Sequence, residues 1–151
     1  MDLEFKQFTK EHFAEYASWF TDPDLNHRLG PMDDAWLELV TRGGELPGDE
    51  TWAVLRDGEL VAVVEALVEA DSPGSYTIGA VATKPALRGQ GIGTLSLQHV
   101  LDVHKSRGIV HHIARVSVDN VAGQRCAAKA GFMPASSAPD QHGYIALRRG
   151  V

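Results

Sequence analysis

The sequence predicts a single α+β domain over residues 1–151, with a mixed and mostly antiparallel central sheet and helices on both faces. β-rich stretches alternate with stretches whose apolar residues recur at helical spacing, which is typical of this class. The chain has 151 residues, of which 44% are hydrophobic and 23% are charged, so one domain with an ordinary core is expected. The predicted element order is β-α-α-β-β-β-α-β-α-β.

The first 50 residues predict one strand and two helices. Residues 3–8 alternate apolar and polar side chains, as in a strand with one buried face. Thr9 can cap the helix that we predict over residues 10–20, because its hydroxyl can accept a bond from a first-turn amide. Repeated Pro and Gly residues between residues 21 and 50 favour irregular chain, interrupted by one short helix around residues 34–41.

The middle of the chain predicts a three-stranded antiparallel meander. Residues 51–55 and 60–68 are β-rich, and the Asp-Gly pair between them is typical of a hairpin turn. Pro73 breaks the chain before a third β-compatible stretch, residues 76–83.

The C-terminal part predicts two helices and two strands. A helix with a wide apolar face begins near Ile92 and stops at Gly108. Residues 109–118 then favour a strand, residues 121–130 a helix, and residues 144–147 a last strand.

Composition excludes several classes of partner. The net charge is −6 and the 14 basic residues are scattered, so we expect no nucleic-acid partner. Cys126 is the single cysteine, which predicts a reducing, cytoplasmic setting without disulfides or a cysteine-based zinc site. No stretch approaches the roughly 20 apolar residues of a membrane span, and the N-terminus does not resemble a signal peptide, so we expect neither secretion nor a membrane partner.

One segment points to a ligand. Residues 88–94 read Arg-Gly-Gln-Gly-Ile-Gly-Thr between a predicted strand and a predicted helix, and we call them the glycine turn. Backbone N–H groups converge at a helix N-terminus, where the helix dipole adds positive charge, so the glycine turn is suited to a pyrophosphate. The alternative is that its glycines only make a tight connection.

Other phosphate-binding motifs do not fit. The dinucleotide fingerprint fails because Gly93 is followed by Thr94, Leu95 and Ser96, and no Gly-Lys-Ser/Thr of a P-loop occurs in the chain. The companion motifs of protein kinases are also missing.

The glycine turn resembles the Arg/Gln-x-x-Gly-x-Gly/Ala motif of the GNAT acetyltransferase superfamily. Pro85 lies three residues before Arg88, and Asn120 lies eleven residues before Gly131. Together with Lys129-Ala130-Gly131-Phe132, Asn120 resembles the family's Asn…Lys-x-Gly-Phe segment. The resemblance covers roughly residues 51–132 and implies a GNAT-like fold.

The resemblance also implies acetyl-CoA as a co-substrate, with no metal. The implied cofactor-binding residues are Val81, Ala82 and Thr83 along the pantetheine arm, Arg88, Gly89, Gln90, Gly91, Ile92, Gly93 and Thr94 at the pyrophosphate, Asn120 at the pantetheine or between the strands, and Lys129 near a nucleotide phosphate. For Asn120, a role as an ordinary helix cap stays an equal alternative.

In the family an amine attacks the thioester directly in a ternary complex, with a proton donor for the thiolate and a base for the amine. The family's tyrosine acid would fall on Ala127 here, so another group has to serve. The candidate catalytic residues are Glu65 and His112 as bases and Ser117 and Tyr144 as acids, with Glu69, His111, Cys126 or a water as alternatives. Each histidine or glutamate could instead be an ordinary core or solvated residue.

The acceptor implied by the resemblance is a small-molecule or peptide amine. The family shapes its acceptor pocket in the irregular region, where the candidate residues are His27, Arg28, Trp19, Phe20 and Trp36. The acidic residues Asp22, Asp24, Asp33 and Asp34 favour a cationic amine, although such residues are often only solvated. A homodimer is compatible with the resemblance.

The motifs and the resemblance are compatible with three functions. The first is an acetyl-CoA-dependent N-acetyltransferase acting on a primary amine. The second is an acyl-CoA-binding regulatory module with weak or no transfer, which the alanine at position 127 keeps open. The third is a nucleotide sensor that uses the same turn for another phosphate ligand.

Overall fold

The computed structural model describes residues 2–72, 74–136 and 138–150, so Pro73 lies outside the described residues. Within these ranges the chain forms seven strands and five α-helices. The strands are β1 (Glu4–Gln7), β2 (Glu50–Arg56), β3 (Glu59–Val68), β4 (Ser75–Thr83), β5 (His111–Ser117), β6 (Met133–Pro134) and β7 (Tyr144–Arg149). The helices are α1 (Phe13–Ser18), α2 (Pro23–Leu29), α3 (Asp34–Thr41), α4 (Ile92–Ser106) and α5 (Val121–Lys129).

The strands form one mixed sheet in the order β1-β2-β3-β4-β5-β7-β6. Every neighbouring pair is antiparallel except β4 and β5, which are parallel. One apolar cluster joins α4 and α5 to one face of the sheet, and a second joins the helices of the N-terminal third to the other face. The predicted α+β class, with helices on both faces, is confirmed.

The predicted hairpin between β2 and β3 forms. Asp57 and Gly58 have φ angles of 52° and 81°, and Arg56 pairs with Glu59 across the turn. Two successive residues with positive φ match the type I′ turn, whose twist suits antiparallel strands.

The helix predicted over residues 10–20 is shorter than expected. Two 3-10 turns, Lys10–His12 and Trp19–Thr21, flank α1. Thr9 caps the first of these turns, as predicted: its Oγ1 accepts a hydrogen bond from the Glu11 amide at 3.3 Å, and the His12 ring accepts from the Thr9 amide at 2.9 Å.

Helix α2 corrects the prediction of irregular chain after residue 20. The Asp22 carboxylate accepts a hydrogen bond from the Leu25 amide at 3.0 Å, and Pro23 occupies the first helical turn. Both are start signals of a helix, because proline has no N–H to leave unpaired there. Asp and Pro are equally typical of a turn, so the sequence alone does not predict this helix. The two-residue strand β6 was also not predicted.

A split in the sheet creates a cleft. The ladder between β4 and β5 covers only three pairs, from Ser75↔His111 to Thr77↔Ile113, whereas β5 pairs with β7 along six residues. Strands β4 and β5 therefore diverge beyond Thr77. In β4, Glu65↔Ala80 is followed by Ala66↔Ile78, so Gly79 is an extra, bulged residue at the start of the split.

None of the helices in the described ranges is both long and apolar enough to cross a membrane.

Candidate active site

The diverging strands enclose a cleft of about 680 Å³, which is closed at one end by the N-terminus of α4 and along one side by α5. The predicted cofactor residues that line it are Val81, Ala82, Thr83, Arg88, Gly89, Gly91, Ile92, Gly93, Thr94, Asn120 and Lys129. Gln90 is the one predicted cofactor residue outside this lining. Residues from two distant parts of the sequence thus meet at one cavity.

The glycine turn presents backbone amides to this cleft. Gly89 and Gly91 have φ angles of 81° and 83°, a region that favours glycine, and a Cβ at either position would meet nothing within 4 Å. Gly91 is the N-cap of α4 and provides no side-chain cap, so the first amides of the helix have no partner of that kind. A phosphate fits such a position, because it accepts hydrogen bonds from several amides and carries the charge that the helix dipole favours.

Gly93 has a different reason to be glycine. A Cβ there would lie 3.1 Å from Thr83 Oγ1 and 3.6 Å from Val81 Cγ1. The absence of a side chain lets the first turn of α4 approach β4 closely. Two of the three glycines therefore serve the backbone conformation of the turn, and the third serves packing.

The guanidinium of Arg88 is ion-paired. Its guanidinium makes two hydrogen bonds to the Asp22 carboxylate, at 3.2 and 2.8 Å. The bond to Arg88 holds the pKa of Asp22 below its usual range. This ion pair fastens the glycine turn to the start of α2.

A second ion pair fastens α2 to the opposite rim. Arg28 lies 3.1 Å from Asp24 on its own helix and 3.2 Å from Asp119, which follows β5. Asp119 also accepts a hydrogen bond from Ser117 Oγ at 2.6 Å. Helix α2 consequently spans the cleft from the glycine turn to the β5–α5 connection.

Asn120 caps α5. Its Oδ1 accepts a hydrogen bond from the Gly123 amide at 3.0 Å, as the capping alternative required. Asn120 also lines the cleft, so the cap and a ligand contact are compatible.

Two of the four candidate catalytic residues reach the cleft. Ser117 and Tyr144 line it and face each other in the β5–β7 register. Ala127 lines it as well and is 4% exposed. Its neighbour Cys126 is half-buried in the same wall, and burial raises the pKa of its thiol.

His112 is not at the cleft. It is 1% exposed, and its Nε2 lies 2.8 Å from His104 Nδ1, while His104 Nε2 lies 2.7 Å from Glu50 Oε1. Burial, together with the neighbouring His104, lowers the pKa of His112 to about 4. The side chain is thus a neutral member of a buried polar chain, and the exposed His111 lies outside the cleft lining too.

Glu65 lies on the opposite face of the sheet from α4 and lines a second cavity, of about 740 Å³, with Glu69. Burial raises the pKa of Glu65, and a hydrogen bond from Trp36 partly offsets this by lowering it. Both cavities border β4, on either side of its bulge.

The predicted acceptor residues divide between the cleft and the core. His27 and Arg28 line the cleft from α2. Trp19 is buried, and Phe20 and Trp36 pack against Tyr16 with ring centroids 5.1 and 5.3 Å away. These aromatics belong to the core cluster of the N-terminal third, because side chains at helical spacing on one helix face pack together. Within the described ranges, no group of three or more His, Cys, Asp or Glu side chains is arranged to hold a metal ion.

A split sheet with a glycine turn at the head of α4 defines the class of GNAT acetyltransferases. The chain belongs to the acetyltransferase (GNAT) family, whose family model matches residues 6–132. Membership supports acetyl-CoA-dependent N-acetyl transfer as the general activity. Among curated proteins, no sequence matches the chain.

Solved structures share the whole fold at low identity. Aminoglycoside acetyltransferase AAC(6')-Ib in complex with coenzyme A superposes with a TM-score of 0.81 at 16% identity, over 99% of this chain and 95% of that one. The PaiA N-acetyltransferase of Thermoplasma acidophilum, also with coenzyme A, gives 0.76 at 14% identity over 100% of both chains. The ribosomal-protein-S18-alanine N-acetyltransferase of Escherichia coli gives 0.72 at 18% identity, over 99% of this chain and 94% of that one.

Proposed function

We propose that this chain is a single-domain N-acetyltransferase that transfers the acetyl group of acetyl-CoA to a primary amine by direct attack in a ternary complex. The observation that carries the proposal is the split between β4 and β5, which opens directly onto the amides of the glycine turn. An elongated ligand with a pyrophosphate at one end fits a cleft of this form.

The cleft residues would hold acetyl-CoA in two parts. The amides of the glycine turn and of the first turn of α4 would bind the pyrophosphate. The backbone of Val81, Ala82 and Thr83 lies beyond the β4–β5 ladder, so its groups on the cleft side are available to the amides of a pantetheine arm. Lys129 would contribute positive charge near the nucleotide end, and Asn120 would contact the arm while it caps α5.

Acetyl-CoA supplies the activated acetyl group. The amine nitrogen forms a bond to the acetyl carbon, the carbon–sulfur bond breaks, and the sulfur leaves with the electron pair and gains a proton. The incoming ammonium must first lose a proton, and the new amide nitrogen must lose another. We propose Glu65 as the group that receives the ammonium proton, directly or through a water, since burial favours the protonated form of this carboxyl.

For the proton donor we propose Tyr144. Ser117 already donates its hydroxyl proton to Asp119, and a thiol such as that of Cys126 is a weak hydrogen-bond donor. The Tyr144 side chain lines the cleft and is 44% exposed, so its hydroxyl is accessible to a ligand.

Two measurements test the proposal. Thermal unfolding with acetyl-CoA, ATP and NAD should show a shift with acetyl-CoA alone; a ligand at a hundredfold excess over its dissociation constant stabilises by about 2.7 kcal/mol. In a chain of this size, that corresponds to roughly 5–11 °C. Release of free thiol from acetyl-CoA should then depend on an added primary amine. A shift produced by ATP or NAD instead would favour the nucleotide sensor.

The second candidate function is an acyl-CoA-binding regulatory module. Its supporting observation is Ala127, a small buried residue at the position where the resemblance expects a tyrosine. Tight binding of acetyl-CoA without thiol release for any amine would establish this function. A cytoplasmic location also stays a proposal, based on the single cysteine of the sequence.

A further inference from the structure

The cavity lined by Glu65 is a second large concavity, which we call the acidic cavity. It lies between the end of α3, the connection to β2, and strands β2 and β3; Glu65, Leu67 and Glu69 line it on the sheet face opposite α4, and Glu50 and Arg107 line it at the end of α4. Its apolar walls include Phe8, Leu39 and Leu67. Its volume of about 740 Å³ is in the range of small-molecule sites.

Carboxylates dominate the charge of this cavity. The acidic and basic side chains in its lining are those of Glu45, Asp49, Glu50, Glu65, Glu69 and Arg107. Arg107 is paired with Glu50 at 2.5 Å. Asp49 accepts hydrogen bonds from the backbone amides of Val68, Glu45 and Leu46. The cavity therefore keeps a net negative charge after its internal pairs are formed.

The acidic cavity meets the cofactor cleft at the bulge of β4. Gly79 lines the cleft, and a Cβ built on it would lie 3.0 Å from Leu67 Cδ1 and 3.8 Å from Glu65 Cβ, both of which belong to residues of the acidic cavity. Glu65 is also the register partner of Ala80. The absence of a side chain at Gly79 thus leaves only a thin wall between the two spaces.

A buried hydroxyl near this junction lacks a partner. The Tyr16 hydroxyl is 0% exposed and makes no hydrogen bond with the residues that the structure describes. Burial and, secondarily, the nearby Glu65 carboxylate raise the pKa of the phenol. Tyr16 is not among the residues that line the acidic cavity, so this costly unpaired hydroxyl belongs to the core beside Glu65 and is not itself a ligand contact.

The spacing of the carboxylates limits the ligand. Glu65 and Glu69 are four residues apart along β3 and its extension and line the same cavity, so their Cα atoms are separated by about 13 Å. Glu69 accepts a hydrogen bond from Thr77 through one oxygen, which leaves its other oxygen for a ligand. The two acids can therefore contact the two ends of an elongated cation.

We propose that the acidic cavity is the acceptor site and that it selects a primary amine on a flexible aliphatic chain with a second cationic group at its far end. Glu65 faces the reacting amine beside the bulge, Glu69 binds the remote cation, and the apolar walls cover the chain between them. This inference rests on the proposed function.

The test compares α,ω-diamines of propane, butane, hexane and octane with the monoamines of the same chain length, with thiol release from acetyl-CoA as the readout. We expect kcat/KM to rise with diamine length and to exceed that of the matching monoamine by at least tenfold for octane. Glu69→Gln should lower this diamine-to-monoamine ratio by at least fivefold. Glu38→Gln removes the same charge from the exposed face of α3, outside the acidic cavity, and should leave the ratio unchanged.

Equal kcat/KM values for diamines and monoamines would overturn the inference while leaving the proposed function intact. If no amine releases thiol, calorimetric titration of octane-diamine into the CoA-loaded protein decides the matter. Saturable binding that weakens at least fivefold in Glu69→Gln supports the acidic cavity as a diamine site. Undetectable binding, or equal binding by the two proteins, overturns it.

Discussion

Arg88 and Asp22 form a two-bond ion pair, with guanidinium–carboxylate distances of 3.2 and 2.8 Å, between residues 66 positions apart in sequence. The arginine belongs to the glycine turn and the aspartate to the cap of α2. Helix α2 is thereby connected to the loop that would hold the cofactor.

This ion pair predicts the behaviour of Asp22→Asn. Asparagine is as good an N-cap as aspartate, so α2 should be retained. The substitution removes a negative charge close to the phosphate position and releases Arg88, so we expect coenzyme A to bind several-fold more tightly in calorimetric titration. Asp119→Asn removes a carboxylate from the opposite rim and is the control. A similar gain in both variants would show that overall charge, not the Arg88 contact, sets the affinity.

The glycine turn predicts a contrast between Gly91→Asp and Gly58→Asp. The two glycines have φ angles of 83° and 81°, and a Cβ at either would meet nothing within 4 Å. Each variant should lose about 1 kcal/mol of stability, because both place a side chain in the left-handed region. Only Gly91→Asp puts a carboxylate where the pyrophosphate would bind, so it alone should lose the thermal shift with acetyl-CoA.

If Gly91→Asp keeps its shift, the amides at the head of α4 do not bind the ligand. Loss of the shift in both variants would indicate a general effect of the substitution on the fold.

The buried chain of Glu50, His104 and His112 predicts a loss of stability in acid. The pKa of His112 is lowered from 6.5 to about 4 in the fold. As the pH falls, His112 therefore binds a proton in the unfolded state at a higher pH than it does in the folded state. The free energy of unfolding consequently declines between about pH 6.5 and pH 4. The shift corresponds to a loss of about 3 kcal/mol, which urea unfolding at several pH values can measure.

The pKa of Glu50 is lowered from 4.5 to about 2, so its contribution is present above pH 4.5 and is lost at lower pH than that of His112. His112→Leu should be less stable at pH 7, where it leaves the Nδ1 atom of His104 without its partner, yet its stability should decline less between pH 6.5 and pH 4. An unchanged pH profile in this variant would assign the acid sensitivity to other groups. His142→Gln, at an exposed site, is the control.

The proton donor can be tested by removing one hydroxyl and adding another. Tyr144→Phe should lower kcat at least tenfold, with little change in the thermal shift produced by acetyl-CoA. Ala127→Tyr should restore part of the rate in this background, because residue 127 lines the cleft. Ala127→Phe fills the same volume without a hydroxyl; each substitution should cost about 1–3 kcal/mol through overpacking. Equal rates for these two substitutions would exclude proton donation from position 127.

The parts of the fold that sequence patterns predicted are those determined locally. The hairpin at Asp57-Gly58 and the glycine turn depend on φ angles that few residues adopt, so they are visible in the sequence itself. Helix α3 was predicted around its observed bounds, because Gly and Pro residues interrupt the chain on both sides of it; the structure adds Asp33 as its cap. Helix α2 was missed because Asp22-Pro23 serves equally well as a turn and as a helix start.

The tertiary relationships could not be predicted in the same way. The burial of His112 depends on its contact with His104 on another element. The junction at Gly79 depends on the register between β3 and β4, which no local pattern specifies. The ion pairs Arg88–Asp22 and Arg28–Asp119 join residues far apart in sequence, so no local pattern predicts them.

The two outer strands of the sheet affect how copies of the protein meet one another. At one margin β6 has only two residues, Met133–Pro134, and its proline has no N–H to offer a further strand. At the other margin β1 carries the charged pair Lys6–Glu4. Short, proline-containing or charged margins discourage strand addition between molecules. Edge-to-edge aggregation of sheets is therefore disfavoured at both β6 and β1, even though β4 and β5 diverge at the centre of the sheet.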